Sequence, residues 1–299
     1  MRGMTLSWLA ERNANKCPEK EGVVMVSTTG GRTALTHAAF DRRIDRVANG
    51  FRNRGIERGD TVAMYTRNSV PTLETYFGAM RIGALPVPIN HRFEREEVRY
   101  VLEDSGAELL VFDDHAATVI DELHDAPAMP DEVLFVGEDI PEYADDYAGF
   151  RDAAPSTSVE IGSSRLDDAL LMYTSGTTGE PKGCILTHDN VIQMSVNGIV
   201  EKAFEGRQVD VDGRGLIVTP LFHIAAFGKF VNNSYASATS VVMDGFDPER
   251  TMEVLESESI TGGFFVPTMA RAMLGVEDFA SYDLSAFAEF GIGAAPSGT

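Results

Sequence analysis

Two rhythms of apolar and polar positions run along the chain. Short apolar runs at Thr61 to Tyr65, Leu85 to Ile89, Leu109 to Phe112 and Val133 to Val136 predict buried strands. Between them, Val70 to Ile82, Glu94 to Asp104 and His115 to Leu123 carry helical periodicity, with Gly83 and Gly106 as stops. Strands alternating with helices require crossover connections. The predicted fold class is therefore α/β, with mostly parallel sheets flanked by helices on both faces. Ahead of this region lies a short helix, Thr5 to Asn15. A hairpin follows, from Val23 to Ser27 and back from Arg32 to Leu35. Thr36 caps a long helix that turns Phe40, Ile44, Val47 and Phe51 inward and ends at Gly55. Glu142 to Ser164 is acidic and rich in breakers, so it reads as an irregular surface connection. Further on, Asp189 to Val200, His223 to Ala236 and Pro267 to Leu274 read as helices, and Asp247-Pro248 opens another. Leu216 to Thr219, Thr239 to Met243, Ile260 to Val266 and Phe290 to Ala295 read as strands.

One stretch breaks both rhythms. Tyr173-Thr174-Ser175-Gly176-Thr177-Thr178-Gly179-Glu180-Pro181-Lys182-Gly183 sits between Ala169 to Met172 and Cys184 to Leu186, whose apolar character predicts two buried strands. Glycines let backbone N–H groups approach an anion, the hydroxyls donate hydrogen bonds, and Lys182 supplies a point charge. The stretch is built to grip phosphate. It is not a P-loop, because Pro181 stands where the second glycine should fall and Gly183 follows the lysine. Gly291-Ile292-Gly293-Ala294-Ala295-Pro296 fails as a dinucleotide fingerprint, because it ends in proline.

Length and composition narrow the class. With 299 residues and 43% hydrophobic content the chain can bury a large core. No apolar run is long enough to span a bilayer and no signal-like run opens the chain, so a soluble cytoplasmic protein is expected. Cys17 and Cys184 form no C-x-x-C pair, which removes zinc ribbons and redox motifs. Cys184 is expected as a small buried strand residue. Forty-six acids oppose 25 bases, for a net charge of −21. The lysines are Lys16, Lys20, Lys182, Lys202 and Lys229. This balance disfavours nucleic acid and anionic membranes as partners. Acidic pairs such as Asp113-Asp114 and Asp145-Asp146 are spread along the chain, as expected of a halophilic protein whose self-repulsion needs screening. The melting temperature should then rise along a KCl series; a flat response from low to molar salt would refute salt adaptation.

The Tyr173 to Gly183 run resembles, position by position, the phosphate-binding motif Y-T-S-G-T-T-G-x-P-K-G of the adenylate-forming enzymes, with Glu180 at the variable place. Other runs resemble that family in order. They are Thr187-His188-Asp189-Asn190, Pro220-Leu221-Phe222-His223 with Gly228, Phe246-Asp247-Pro248-Glu249, Val266-Pro267-Thr268-Met269 and Gly293-Ala294-Ala295-Pro296. Together they look most like fatty-acyl-CoA synthetases. By itself the Phe222-His223 run is weak, since a lone histidine among apolar residues is more often packed than catalytic. The Gly291 run by itself reads more readily as a plain Gly/Ala turn.

The resemblance implies an incomplete large N-terminal AMP-binding domain over residues 1–299, without the small C-terminal domain. It implies ATP, Mg²⁺ and CoA as cofactors and co-substrates, a small carboxylic acid as partner, and no stable membrane insertion; a homodimer is compatible with it. Thr174, Ser175, Gly176, Thr177, Thr178, Gly179 and Lys182 would hold the phosphates, with Thr174 near Mg²⁺. Gly293, Ala294, Ala295 and Pro296 would border adenine. Phe222, His223, Ala226, Phe227, Gly228 and Gly291 would form the acid pocket. Lys182 and His223 would be the catalytic pair, His223 positioning the carboxylate. His188 is expected to be structural. The family's Mg²⁺-holding Glu, ribose-binding Asp and C-terminal lysine have no counterpart here, so negligible overall CoA ligation is expected of these residues alone. Two further readings stay open. One is a non-catalytic nucleotide-binding or interaction protein that keeps the loop. The other is an aryl or peptide-synthetase substrate, although Ile224, Ala225 and Ala226 supply no Asp to anchor an amino group.

Overall fold

The computed structural model describes residues 4–159, 162–174, 181–204, 206 and 210–293. Along the chain come α1 (Leu6–Lys16), β1 (Glu21–Val26), β2 (Arg32–Thr36), α2 (His37–Asn53), β3 (Thr61–Tyr65), α3 (Val70–Ile82), β4 (Leu85–Pro88), α4 (Arg95–Ser105), β5 (Leu109–Asp113), α5 (Ala117–Asp121) and β6 (Glu132–Val136). They are followed by β7 (Asp145–Asp146), α6 (Tyr147–Ala153), β8 (Asp168–Thr174), β9 (Lys182–Thr187), α7 (His188–Phe204), β10 (Arg214–Ile217), α8 (Ile224–Ala236), β11 (Thr239–Met243), α9 (Pro248–Ser257), β12 (Gly262–Phe265), α10 (Pro267–Leu274) and β13 (Glu289–Ile292). The chain divides into two compact units, one of residues 1–12 and 39–193 and the other of 13–38 and 194–299.

The first unit holds a parallel five-stranded sheet, ordered β4-β3-β5-β6-β7. Its strands bury nearly every side chain, as a sheet covered on both faces requires. Ser69 caps α3 by accepting from the Thr72 N–H, with Pro71 in the first turn, and Gly83 closes the helix at φ +77°, a conformation glycine adopts without strain. Almost all of α3 is buried, including Glu74. That carboxylate is received by Arg43, by Arg151 at 3.6 Å and by the Tyr147 hydroxyl at 3.3 Å. The stretch from Glu142 to Ser164, expected to be irregular, instead contains β7 and α6. Asp146 caps α6 through the Ala148 and Gly149 N–H groups, and Tyr147 is fully buried. Two anchoring aromatics, Tyr147 and Phe150, among acidic residues were too sparse a signal for periodicity. Helix α5 is also shorter than the expected His115 to Leu123.

The second unit holds a six-stranded sheet, ordered β13-β12-β10-β11-β1-β2. All neighbours are parallel except the β1–β2 hairpin. Its core gathers Val24, Leu216, Val241, Met252, Ile260 and Phe265. Asp247 caps α9 by accepting from the Arg250 N–H at 2.8 Å. Arg214 and Arg32 bridge Glu21 and Glu258, neutralising part of the acidic surface.

A small antiparallel pair, β8 and β9, completes the first unit. A parallel return would need a crossover of about a dozen residues, and the connection is far shorter. The expectation of two buried strands holds only for β8. Strand β9 is largely exposed, Ile185 is 53% accessible, and Cys184 lies on the surface rather than inside. Apolar composition alone does not say whether a two-stranded ribbon is covered on both sides.

Candidate functional site

The Thr174 to Lys182 connection is held at its base by the strands that flank it. Thr174 pairs with Lys182 and Tyr173 with Gly183 across the ribbon, and the Thr174 hydroxyl lies 3.4 Å from the Lys182 carbonyl. Tyr173 donates to an Asp104 oxygen at 2.6 Å, tying the end of β8 to α4. Burial and that carboxylate push the phenol up, so the hydroxyl stays a donor. Both Thr174 and Lys182 are exposed, and Lys182 has no carboxylate partner among the described residues. Ser175, Gly176, Thr177, Thr178 and Gly179 lie outside the described residues.

Immediately after β9, the Thr187 N–H donates to Asn190 Oδ1 at 3.0 Å and the Asn190 N–H to Thr187 Oγ1 at 3.2 Å. This reciprocal pair closes the first turn of α7. His188 between them is 1% accessible, and its Nδ1 accepts from the Leu6 N–H at 3.2 Å. Burial lowers its pKa to about 4 against the opposing pull of Asp167. The ring is neutral and structural, as the sequence led us to expect.

In the second unit, the chain leaves β10 and turns through Pro220, Leu221 and Phe222 to His223, which occupies the cap position of α8. The Ala226 and Phe227 N–H groups donate to the His223 carbonyl. The Phe222 and His223 rings are 4.1 Å apart between centroids, with His223 exposed. Ala226, Phe227 and Gly228 are buried on the next turn, and a β-carbon at Gly228 would fall 2.1 Å from the Met194 methyl. Gly291 and Gly293 lie against the ring of Phe264; a β-carbon at either would sit 3.2 Å from it. Gly293 donates to the Phe265 carbonyl at 3.2 Å. Ala294, Ala295 and Pro296 lie outside the described residues. His223 follows the C-terminal end of β10 and Gly293 that of β13, strands of one parallel sheet separated only by β12. Ligands of open α/β sheets bind beyond such ends.

Among the described residues no group of three His, Cys, Asp or Glu side chains could hold a metal ion. Mg²⁺ suits a site of this kind only if phosphate oxygens supply most of its ligands, as is usual for that ion, with the exposed Thr174 hydroxyl as the protein's contribution. The exposed hydroxyl and the Lys182 ammonium, unpaired among the described residues, fit a polyphosphate at the ribbon's end. No described helix is long and apolar enough to cross a membrane.

The family model described as AMP-binding enzyme matches residues 10–299. The chain belongs to the AMP-binding enzyme family. Within that family it is 36% identical to a feruloyl-CoA synthase from an Amycolatopsis species, over 99% of this chain and 55% of that protein. It is 31% identical to the long-chain-fatty-acid–CoA ligase FadD13 of Mycobacterium tuberculosis, over 97% of this chain and 55% of that protein. The chain thus spans about half the length of these AMP-binding relatives. The solved N-terminal domain of FACL13 from Mycobacterium tuberculosis superposes with a TM-score of 0.84 at 29% identity, covering 98% of this chain and 71% of that one. The fold is that of the N-terminal domain of adenylate-forming enzymes.

Sequence reasoning missed one set of polar groups in this AMP-binding fold. Lys229, Asn232, Asn233 and Ala236 follow His223 along α8 at helical spacing and line a cavity. The i, i+3, i+4, i+7 interval was visible in the sequence. What hid it was the apolar company of Phe227, Phe230 and Val231 on the neighbouring face.

Proposed function

We propose that this chain is the nucleotide- and acid-binding part of an AMP-forming acid–CoA ligase. The observation that carries the reading is the ribbon that fixes Thr174 and Lys182 at the two ends of the Tyr173 to Gly183 motif. In the proposed reaction a substrate carboxylate oxygen attacks the α-phosphorus of ATP, the bond to the bridging oxygen breaks, and pyrophosphate leaves with the negative charge. Lys182 and the hydroxyls of the motif stabilise that charge. Mg²⁺, where bound, would neutralise phosphate oxygens. CoA sulfur then attacks the acyl carbonyl and AMP leaves. His223 positions the carboxylate and is no general base, because a carboxylate is already ionised near pH 7. Phe222, the buried Ala226 to Gly228 turn and Gly291 shape the space beside it, and Gly293 borders adenine.

The acid is proposed to be a fatty acid or a similarly extended apolar acid. The relatives named above act, by their names, on feruloyl and long-chain fatty acyl groups. The chain offers no carboxylate at Ile224, Ala225 or Ala226 to hold an amino acid.

Pyrophosphate–ATP exchange across a panel of fatty and aromatic acids tests the reading. Exchange with at least one acid, reduced about a hundredfold by Lys182→Ala, is the expected result. ATP binding without exchange for any acid would show a nucleotide-binding module instead.

A further inference from the structure

A cavity of about 400 Å³ lies between α7, α8 and the N-terminal ends of β10, β12 and β13. Its size suits a small organic group. Three features of its lining lack a structural purpose. The Ser195 hydroxyl is buried with no hydrogen-bond partner, and so is Asn232 Oδ1. Lys229 also lines it, with no ion pair or hydrogen bond among the described residues, and burial lowers its pKa. The remaining charges facing Lys229 are already spoken for. Lys202 and Glu289 pair with each other at 2.6 Å, and Asp210 accepts from the Asp212 N–H in its own exposed turn.

Leaving a buried donor or acceptor unpaired carries its desolvation cost with no hydrogen bond in return. A wall serving only packing would carry apolar side chains. Gly198 adds a second, independent sign. It sits inside α7, where glycine is unfavourable, yet a β-carbon there would meet nothing within 4 Å. The helix gives up stability at the point where a larger side chain would enter the cavity.

The unpartnered groups define what fits. Asn232 Oδ1 needs a donor, Lys229 needs an acceptor, and Ser195 accepts either role. A hydroxyl both donates and accepts. Lys229 lies six residues beyond His223 on one helix and Asn232 nine, so about 9 to 14 Å along the axis. We propose that this cavity receives a hydroxyl group at the far end of the acid, with Lys229, Ser195 and Asn232 as its specificity-determining residues. This rests on the reading that places the carboxylate at His223. Acids with an alcohol or phenol about eight carbons from the carboxylate are the favoured class.

Calorimetric titration of the chain with octanoate, 8-hydroxyoctanoate and octanedioate, each with ATP present, tests the assignment. The hydroxy acid should bind about tenfold more tightly than octanoate, the effect expected of one or two buried hydrogen bonds. Ser195→Ala and Lys229→Met should each pull that ratio towards one, with folding checked by thermal melts. Gly198→Leu, whose β-carbon meets nothing within 4 Å, should weaken binding of the hydroxy acid. Equal affinity for all three acids would show a cavity that holds only water and would overturn the proposal. So would a preference that survives both substitutions, or tighter binding of octanedioate, which would show that Lys229 recruits an anion. If octanoate supports pyrophosphate exchange while the hydroxy acid gains nothing, this assignment fails and the ligase reading stands. If no acid binds or exchanges, both fail.

Discussion

Replacing Arg81 with methionine should lower the stability of the chain by about 3 to 5 kcal/mol. Arg81 projects from α3 between two turns of α2. One guanidinium nitrogen donates to Asp45 at 2.7 Å, and the other to Asp41 at 2.6 Å and to the Ser7 carbonyl of α1 at 3.2 Å. Asp41 and Asp45 stand one helical turn apart, so a single planar fork reaches both. The side chains of Arg81 and Asp45 are each 7% accessible and that of Asp41 15%, so solvent screens little of the interaction. Burial pulls the Arg81 pKa down, the two carboxylates more than offset it, and the group stays charged. Removing it strands two carboxylates of like charge. Burial and the neighbouring carboxylate already hold Asp45 above the usual range against the pull of Arg81. Without Arg81 that pull is gone and Asp45 would take up a proton more readily, so the variant should regain part of its stability as pH falls from 7 to 5. Urea unfolding of wild type and Arg81→Met at both pH values measures this. A loss below about 1 kcal/mol at pH 7 would mean that the site relaxes or hydrates. Arg81→Lys should recover only part of the loss, because an ammonium cannot serve both acids and a carbonyl with the same geometry.

This cluster also shows where reading the sequence stopped. The apolar periodicity of α2 located its buried face through Phe40, Ile44, Val47 and Phe51, and all four are buried. It did not announce that Asp41 and Asp45 lie against a partner, because two acids one turn apart look the same on a solvated face. Alternation of strands and helices was enough to foresee both parallel sheets, since a parallel neighbour demands a crossover. It could not foresee that α6 would anchor itself by Tyr147 and Phe150, or that β9 would leave Cys184 in the open. For the site the division is similar. The Tyr173 to Gly183 motif was legible because its residue types have no structural use in that density. The polar lining of α8 was not, because Lys229 and Asn232 differ from solvated residues only in what surrounds them, and the groups that surround them come from α7 and from strands distant in the sequence.

The pH dependence of stability should carry the imprint of His188. Its ring is buried at the junction of β9 and α7 and accepts the Leu6 N–H through Nδ1, so the fold holds it neutral. Its pKa is about 4 in the folded chain, against the ordinary value of about 6.5 for an unfolded one. Between those values the unfolded chain binds a proton that the folded chain refuses, and mass action then favours unfolding. The contribution is therefore complete above pH 6.5 and is lost as pH falls towards 4. At about 1.4 kcal/mol per pH unit, the loss approaches 3 kcal/mol at the lower end. Carboxylates titrate in the same range, so the informative quantity is a difference between two proteins. His188→Asn keeps a side-chain oxygen that can accept from Leu6 but has no proton to bind. It should be less stable than wild type at pH 7.5, because it fills the site poorly, yet its stability should fall less steeply between pH 6.5 and 4.5. Denaturant unfolding at half-unit pH intervals gives both slopes. Parallel curves would show that the ring is protonated, or accessible to water, in the folded chain, and would remove the structural role assigned to it beside the β8–β9 ribbon.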